Sequence, residues 1–121
     1  MLGNSKQARQ GGFGLGAERR LGRRADFERL LGGGSRRSRA GYTLFFLLRE
    51  EGPPRLGILI SRKHAAKATE RNAIKRCIRE AFRLEQAALG ALDVLVRPAY
   101  GARPGAAMLA QLRGLFSGLR Q

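Results

Sequence analysis

Hydrophobic and polar positions change their period along the chain, and each change marks an element. From Arg19 to Leu31, Leu21, Phe27, Leu30 and Leu31 stand at helical spacing among Arg19, Arg20, Arg23, Arg24 and Arg29. That pattern predicts a short amphipathic helix, stopped by Gly32-Gly33-Gly34. Ser35 to Ala40 reads as a short basic edge strand. Tyr42 to Arg49 reads as a strong strand, because the run Tyr-Thr-Leu-Phe-Phe-Leu-Leu is β-prone and meets the turn Glu50-Glu51-Gly52-Pro53-Pro54. Leu56 to Ser61 gives a second strong strand. A loop with Arg62, Lys63, His64 and Lys67 then leads to Thr69, the expected N-cap of a helix reaching about Leu89 and ended by Gly90. Leu92 to Arg97 is a third strong strand closed by Pro98. Residues 105–119 predict a last helix on Met108, Leu109, Leu112, Leu115 and Phe116. Strands and helices alternate in the second half, so a mixed central sheet packed with about three helices is expected, in the class α+β or α/β.

The helix over 70–83 divides sharply. At about 100° per residue, Ile74, Cys77, Ile78, Ala81 and Phe82 share roughly 140° of arc, the spacing of a core-facing stripe. Asn72, Lys75, Arg76, Arg79 and Arg83 fill a separate arc with no acid inside it, and Arg71 joins them from the border with the apolar stripe. Like charges at i, i+4, such as Arg71/Lys75 and Lys75/Arg79, each cost a few tenths of a kcal/mol unless a polyanion lies nearby. Nucleic acid is the partner that fits.

The overall charge agrees. In 121 residues there are 24 Lys plus Arg against 9 acids, a formal charge of +15, which suits nucleic acid far better than an acidic metabolite. Residues 1–40 carry a net +7 and residues 62–83 a net +6, two basic zones. Arg dominates the cations, and its planar fork matches phosphate and stacks on bases. The longest apolar run, at Tyr42–Leu48, is too short to cross a bilayer. Met1–Lys6 has no apolar segment of a secretory signal, so a cytoplasmic protein is expected.

Enzymatic chemistry finds no footing in the residues. His64 is the only histidine, with no nucleophile paired to it by spacing, and reads as a polar loop residue near bound phosphate. Cys77 belongs to the apolar stripe and reads as a small core residue; a single cysteine excludes an internal disulfide and a cysteine-rich zinc site. The scarce carboxylates fall in no metal-ligand spacing, as a two-metal nuclease would need. Gly11-Gly-Phe-Gly-Leu-Gly16 lacks the preceding strand of a dinucleotide fingerprint. Residues 1–17 are therefore expected to be a flexible Gly-rich extension, and 18–121 a single RNA-binding domain.

Leu56-Gly-Ile-Leu-Ile-Ser61-Arg62-Lys63, followed by Arg71-Asn72-Ala73-Ile74-Lys75-Arg76-Cys77-Ile78-Arg79-Glu80-Ala81-Phe82-Arg83, resembles the bacterial ribonuclease P protein subunit. The upstream segment 23–31, Tyr42–Leu48 and the Leu92–Pro98 strand with its following helix occur in matching order, so the resemblance spans roughly residues 19–119. It implies a left-handed βαβ crossover, against the usual hand of parallel connections, as in the second domain of a small-subunit ribosomal protein. It also implies a ribonucleoprotein in which a catalytic RNA removes the 5′ leader of precursor tRNA. Carried over by motif, Arg71, Asn72, Lys75, Arg76 and Arg79, with Arg83, Arg62 and Lys63, would contact the catalytic RNA. Phe27, Tyr42, Phe45 and Ser61 would contact the leader in a groove between the first helix and the sheet. Mg²⁺ would be held mainly by the RNA, with neither a membrane nor a stable protein partner involved. The family motif begins Arg-Asn-Arg, and this chain departs from it at the third position, Ala73. A ribosomal protein or RNA chaperone is the alternative, and a helix-turn-helix regulator is disfavoured by the strong flanking strands.

Overall fold

The structure, a computed structural model, describes residues 24–119. The extension expected over 1–17 and residues 19–23, expected to open the first helix, lie outside the described residues. The elements are α1 (Arg24–Gly33), β1 (Ser35–Arg39), β2 (Tyr42–Leu48), β3 (Arg55–Ile58), α2 (Ala68–Glu85), a 3₁₀ turn (Gln86–Ala88), β4 (Leu92–Arg97) and α3 (Ala106–Ser117). They form one four-stranded sheet in the order β1-β2-β4-β3. The β1/β2 and β2/β4 pairs are antiparallel and β3/β4 is parallel, so the sheet is mixed and α2 is the crossover between parallel neighbours.

A two-residue turn, Ala40-Gly41, joins β1 to β2 with both residues at positive φ, 53° and 87°. This is the backbone twist that a tight hairpin favours. Gly41 is required twice over, since a Cβ there would lie 2.9 Å from the Ala99 Cβ.

Alternation along the strands assigns the two faces. Tyr42, Leu44, Leu56, Val94 and Val96 face α2 and α3, which contribute Ile74, Ile78, Ala81 and Phe82, and Met108, Leu112, Leu115 and Phe116. Phe82 and Phe116 meet edge to face at 5.5 Å. Phe45 and Leu95 point the other way, onto Leu30 of α1, with Phe27, Leu47 and Leu59 at the margin. The helical stripe therefore packs as its spacing predicts, with Cys77 half-buried at its edge, its thiol 3.7 Å from the Gly105 carbonyl oxygen.

Element ends differ from expectation where local hydrogen bonds intervene. The N-cap of α2 is Lys67, which has no side-chain cap bond, and Thr69 sits inside the first turn. The Arg71 guanidinium stabilises this end instead, donating to the Ala65 and Ala66 carbonyls at 3.0 and 2.9 Å. α1 continues through Gly32 and Gly33, and the Gly34 N–H closes it on the Leu30 carbonyl. β3 stops at Ile58, although the Leu59 N–H still donates to Val96. α2 gives way at Glu85 to the 3₁₀ turn before Gly90, whose φ of 76° is the left-handed turn that glycine permits.

Candidate nucleic-acid interface

The apolar stripe of α2 is committed to the core, so its polar residues are fixed outward. Arg76 and Asn72 are exposed, while Lys75 is half-buried. Among the described residues, neither Lys75 nor Arg76 enters an ion pair. Arg79 is half-buried on the same side. Arg71 and Arg83, both members of the expected stripe, are engaged by protein. Arg71 spends one guanidinium nitrogen on the loop carbonyls. Arg83 forms a two-point pair with Glu80, at 3.0 and 2.6 Å, which holds the Glu80 carboxyl below its ordinary range. The helical wheel separates Glu80 from the cationic arc, yet i, i+3 side chains reach one another. Arg83 is therefore partly neutralised.

Because β3 and β4 run parallel, their C-terminal ends open onto the same edge of the sheet, beside the hairpin turn and the start of α2. Arg62 and Lys63 are exposed in the loop after β3, and Ser61 is exposed with them. His64 differs from the loop residue expected. It is only 7 % exposed, its ring is stacked on Tyr100 at 4.5 Å and 11°, and its Nδ1 accepts the Ser61 N–H at 2.9 Å. Burial pushes its pKa down, and nearby Arg97 adds to the effect. A cleft of about 550 Å³ separates the loop after β4 from the first turns of α2. Ala73 lines it on the helix side and Arg103 on the loop side.

On the opposite face of the sheet, Phe27 is half-buried in α1 and Phe45 is buried beneath it. The Arg97 guanidinium lies 5.8 Å from the centroid of the Phe45 ring and donates to Thr43 Oγ1 at 3.3 Å. Arg36 of the fully exposed strand β1 is registered against Phe45, on this same face. Tyr42 is a correction. It is 2 % exposed in the core under α2, three positions from Phe45 and thus on the other face of β2. Tyr42 and Phe45 cannot floor one groove.

A further cluster was not legible in the sequence. Asp93 is fully buried on the α1 face, yet Arg55 grips both its oxygens at 2.8 Å and Arg29 reaches Oδ2 at 2.9 Å. Arg49 Nε stands 2.9 Å from Oδ1. Burial alone would push the Asp93 carboxyl up, but the guanidinium groups of Arg55, Arg29 and Arg49 together hold it below its ordinary value. Through Arg29 the cluster ties α1 to the sheet.

The family model for ribonuclease P matches residues 15–120. The chain is 36 % identical over 109 residues to the ribonuclease P protein component of Nitrosococcus oceani, covering 88 % of this chain and 92 % of that one. Among solved structures it is similar to the RNase P protein of Staphylococcus aureus, with a TM-score of 0.69 at 27 % identity over 84 % of this chain and 91 % of that one. The RNase P protein of Thermotoga maritima matches with a TM-score of 0.60 at 34 % identity, over 65 % of this chain and 72 % of that one. The motif, the fold and these likenesses agree, and the chain belongs to the ribonuclease P protein family.

Proposed function

We propose that this chain, a ribonuclease P protein component acting in tRNA 5′ processing, supplies RNA binding and leaves bond breaking to a catalytic RNA. The observation that carries this reading is the outward side of α2, where Lys75 and Arg76 form no ion pair with any described residue while the opposite stripe is locked in the core. Those cations, with Asn72, Arg79, Arg62 and Lys63, are assigned to the catalytic RNA. Arg71 supports the loop that carries Arg62 and Lys63, and Arg83 is a lesser contributor because Glu80 holds it. The family match sets aside the ribosomal-protein and chaperone alternative.

The α1 face is assigned to the single-stranded leader of precursor tRNA, in the cytoplasm where such precursors are matured. Phe27 and Phe45 offer apolar and aromatic surface, and Arg97 and Arg36 offer charge to the phosphates. Stacking of this kind tolerates any base, since each has a π face. Ser61, exposed in the loop after β3, is assigned to the leader as well, and Tyr42 is no part of this surface.

The donors among the described residues do not fit a Mg²⁺ site. Among the described residues no three His, Cys, Asp or Glu side chains converge, and both oxygens of buried Asp93 are occupied by guanidinium groups. Mg²⁺ is therefore assigned to the RNA. Among the described residues no helix is long and apolar enough to cross a membrane.

The test is reconstitution with the cognate catalytic RNA and a leader-bearing precursor at low Mg²⁺. Wild-type protein should raise the rate of correctly placed 5′ cleavage. The double change Lys75→Gln/Arg76→Gln should weaken binding of the catalytic RNA and flatten the slope of log K against log salt by roughly 1.5. An unchanged slope and affinity, in a protein that still folds, would remove the assignment.

A further inference from the structure

The geometry points to Tyr100 as a stacking platform for an unpaired nucleobase, at the rim of the cleft between the β4–α3 loop and the start of α2. This assignment rests on the RNA-binding role proposed above. Among the described residues, the large hydrophobic side chains left exposed are three leucines and Tyr100, and Tyr100 is the most exposed, at 65 %. It is also the one aromatic among them.

Its ring is not loose. One face is stacked on His64 at 4.5 Å and 11°. His64 is itself 7 % exposed, and the Ser61 N–H fixes its Nδ1. Burial disfavours the imidazolium, so the contact is ring on ring rather than cation on ring. The inner face of Tyr100 is thus supported by a buried, hydrogen-bonded group, and most of its surface remains open. Such an arrangement pre-pays part of the ordering cost of stacking another flat group.

The surroundings select the flat group. Tyr100 adjoins Gly101, Ala102 and Arg103, which line a cleft of about 550 Å³ with Thr69, Ala73 and Ile74 of α2. Arg103 provides a cation for a flanking phosphate. Glu70 lines the same cleft, and its carboxylate disfavours a phosphate inside it, so a nucleotide should present its base to Tyr100 and keep its backbone outward. Exposed Arg62, Lys63 and Lys67 supply the positive field that brings the strand there.

The base could belong to the catalytic RNA or to the precursor tRNA, and two binding measurements separate them. Full-length protein would be titrated with catalytic RNA alone, and the reconstituted holoenzyme with precursor. Tyr100→Ala should weaken one of the two by roughly tenfold, with the salt slope unchanged because no phosphate contact is lost. Tyr100→Phe should retain wild-type affinity in both. Tyr100→Leu, which still covers His64 but has no π face, should bind as weakly as Tyr100→Ala. Wild-type affinity for Tyr100→Ala or Tyr100→Leu, or a loss with Tyr100→Phe as large as with Tyr100→Ala, would overturn the platform. A failure of this kind leaves the α2 assignment standing if Lys75→Gln/Arg76→Gln still loses affinity and salt slope; if that double change is also silent, the RNA-binding role fails with it.

Discussion

At the scale of single residues, Asp93 carries the largest electrostatic stake in the fold. A fully buried carboxylate is tolerated only when paired and hydrogen-bonded, and Arg55, Arg29 and Arg49 meet that need. Asp93→Asn would leave three guanidinium groups around a neutral amide. A loss of about 3 kcal/mol is expected, read as a fall in Tm of roughly 12 °C or more by calorimetry. The pH dependence has a definite sign. The carboxyl is held below its unfolded value, so its contribution is complete above that value, near 3.9, and is lost as pH falls through the lower folded one. Asp93→Asn should therefore show a shallower acid limb than wild type, and parallel acid limbs would assign the acid sensitivity to other groups.

At the scale of elements, the β1–β2 hairpin contains a mismatch between residue and turn. Ala40 holds a φ of 53°, a left-handed conformation that costs an L side chain about 1 kcal/mol and that asparagine tolerates better. Ala40→Asn should raise Tm by a few degrees while leaving RNA binding alone. A lower Tm would show that the alanine methyl is needed there. Helix α2 illustrates the opposite case, a stripe whose packing follows its pattern, with only Cys77 left half-buried at the edge. Ile74, Ile78, Ala81 and Phe82 are all buried as their 3.6-residue spacing demands, and the cations are turned outward as a consequence. The strand Leu92–Arg97 likewise falls where its β-prone run and the following Pro98 put it.

At the scale of the whole molecule, the sheet separates two surfaces. One lies along α2 and the loop after β3, the other between α1 and the sheet, and Arg97 at the open end of β4 belongs to the second. The surfaces should be separable by mutation. Phe27→Ala and Arg97→Ala should each reduce the preference for precursor over mature tRNA by roughly tenfold, with binding of catalytic RNA little changed. Lys75→Gln/Arg76→Gln should do the reverse. A common loss in both assays from either set would mean that the two surfaces act as one. With a net charge of +15, all of these affinities should fall steeply with salt.

Local chemistry alone determined the elements and the basic side of α2, and with it the expectation of a nucleic-acid partner, because helical and strand periods and the clustering of like charge are properties of neighbouring residues. Register and long-range pairing were decided by the tertiary structure. The run Tyr42–Leu48 is apolar at every position but Thr43 because helices cover both faces of β2, so its composition hid the opposite fates of Tyr42 and Phe45. Asp93 finds Arg29 and Arg55 across 64 and 38 positions, and Tyr100 meets His64 across the ends of parallel strands. No periodicity encodes such meetings; they arise when packing of the apolar faces brings distant segments to one place.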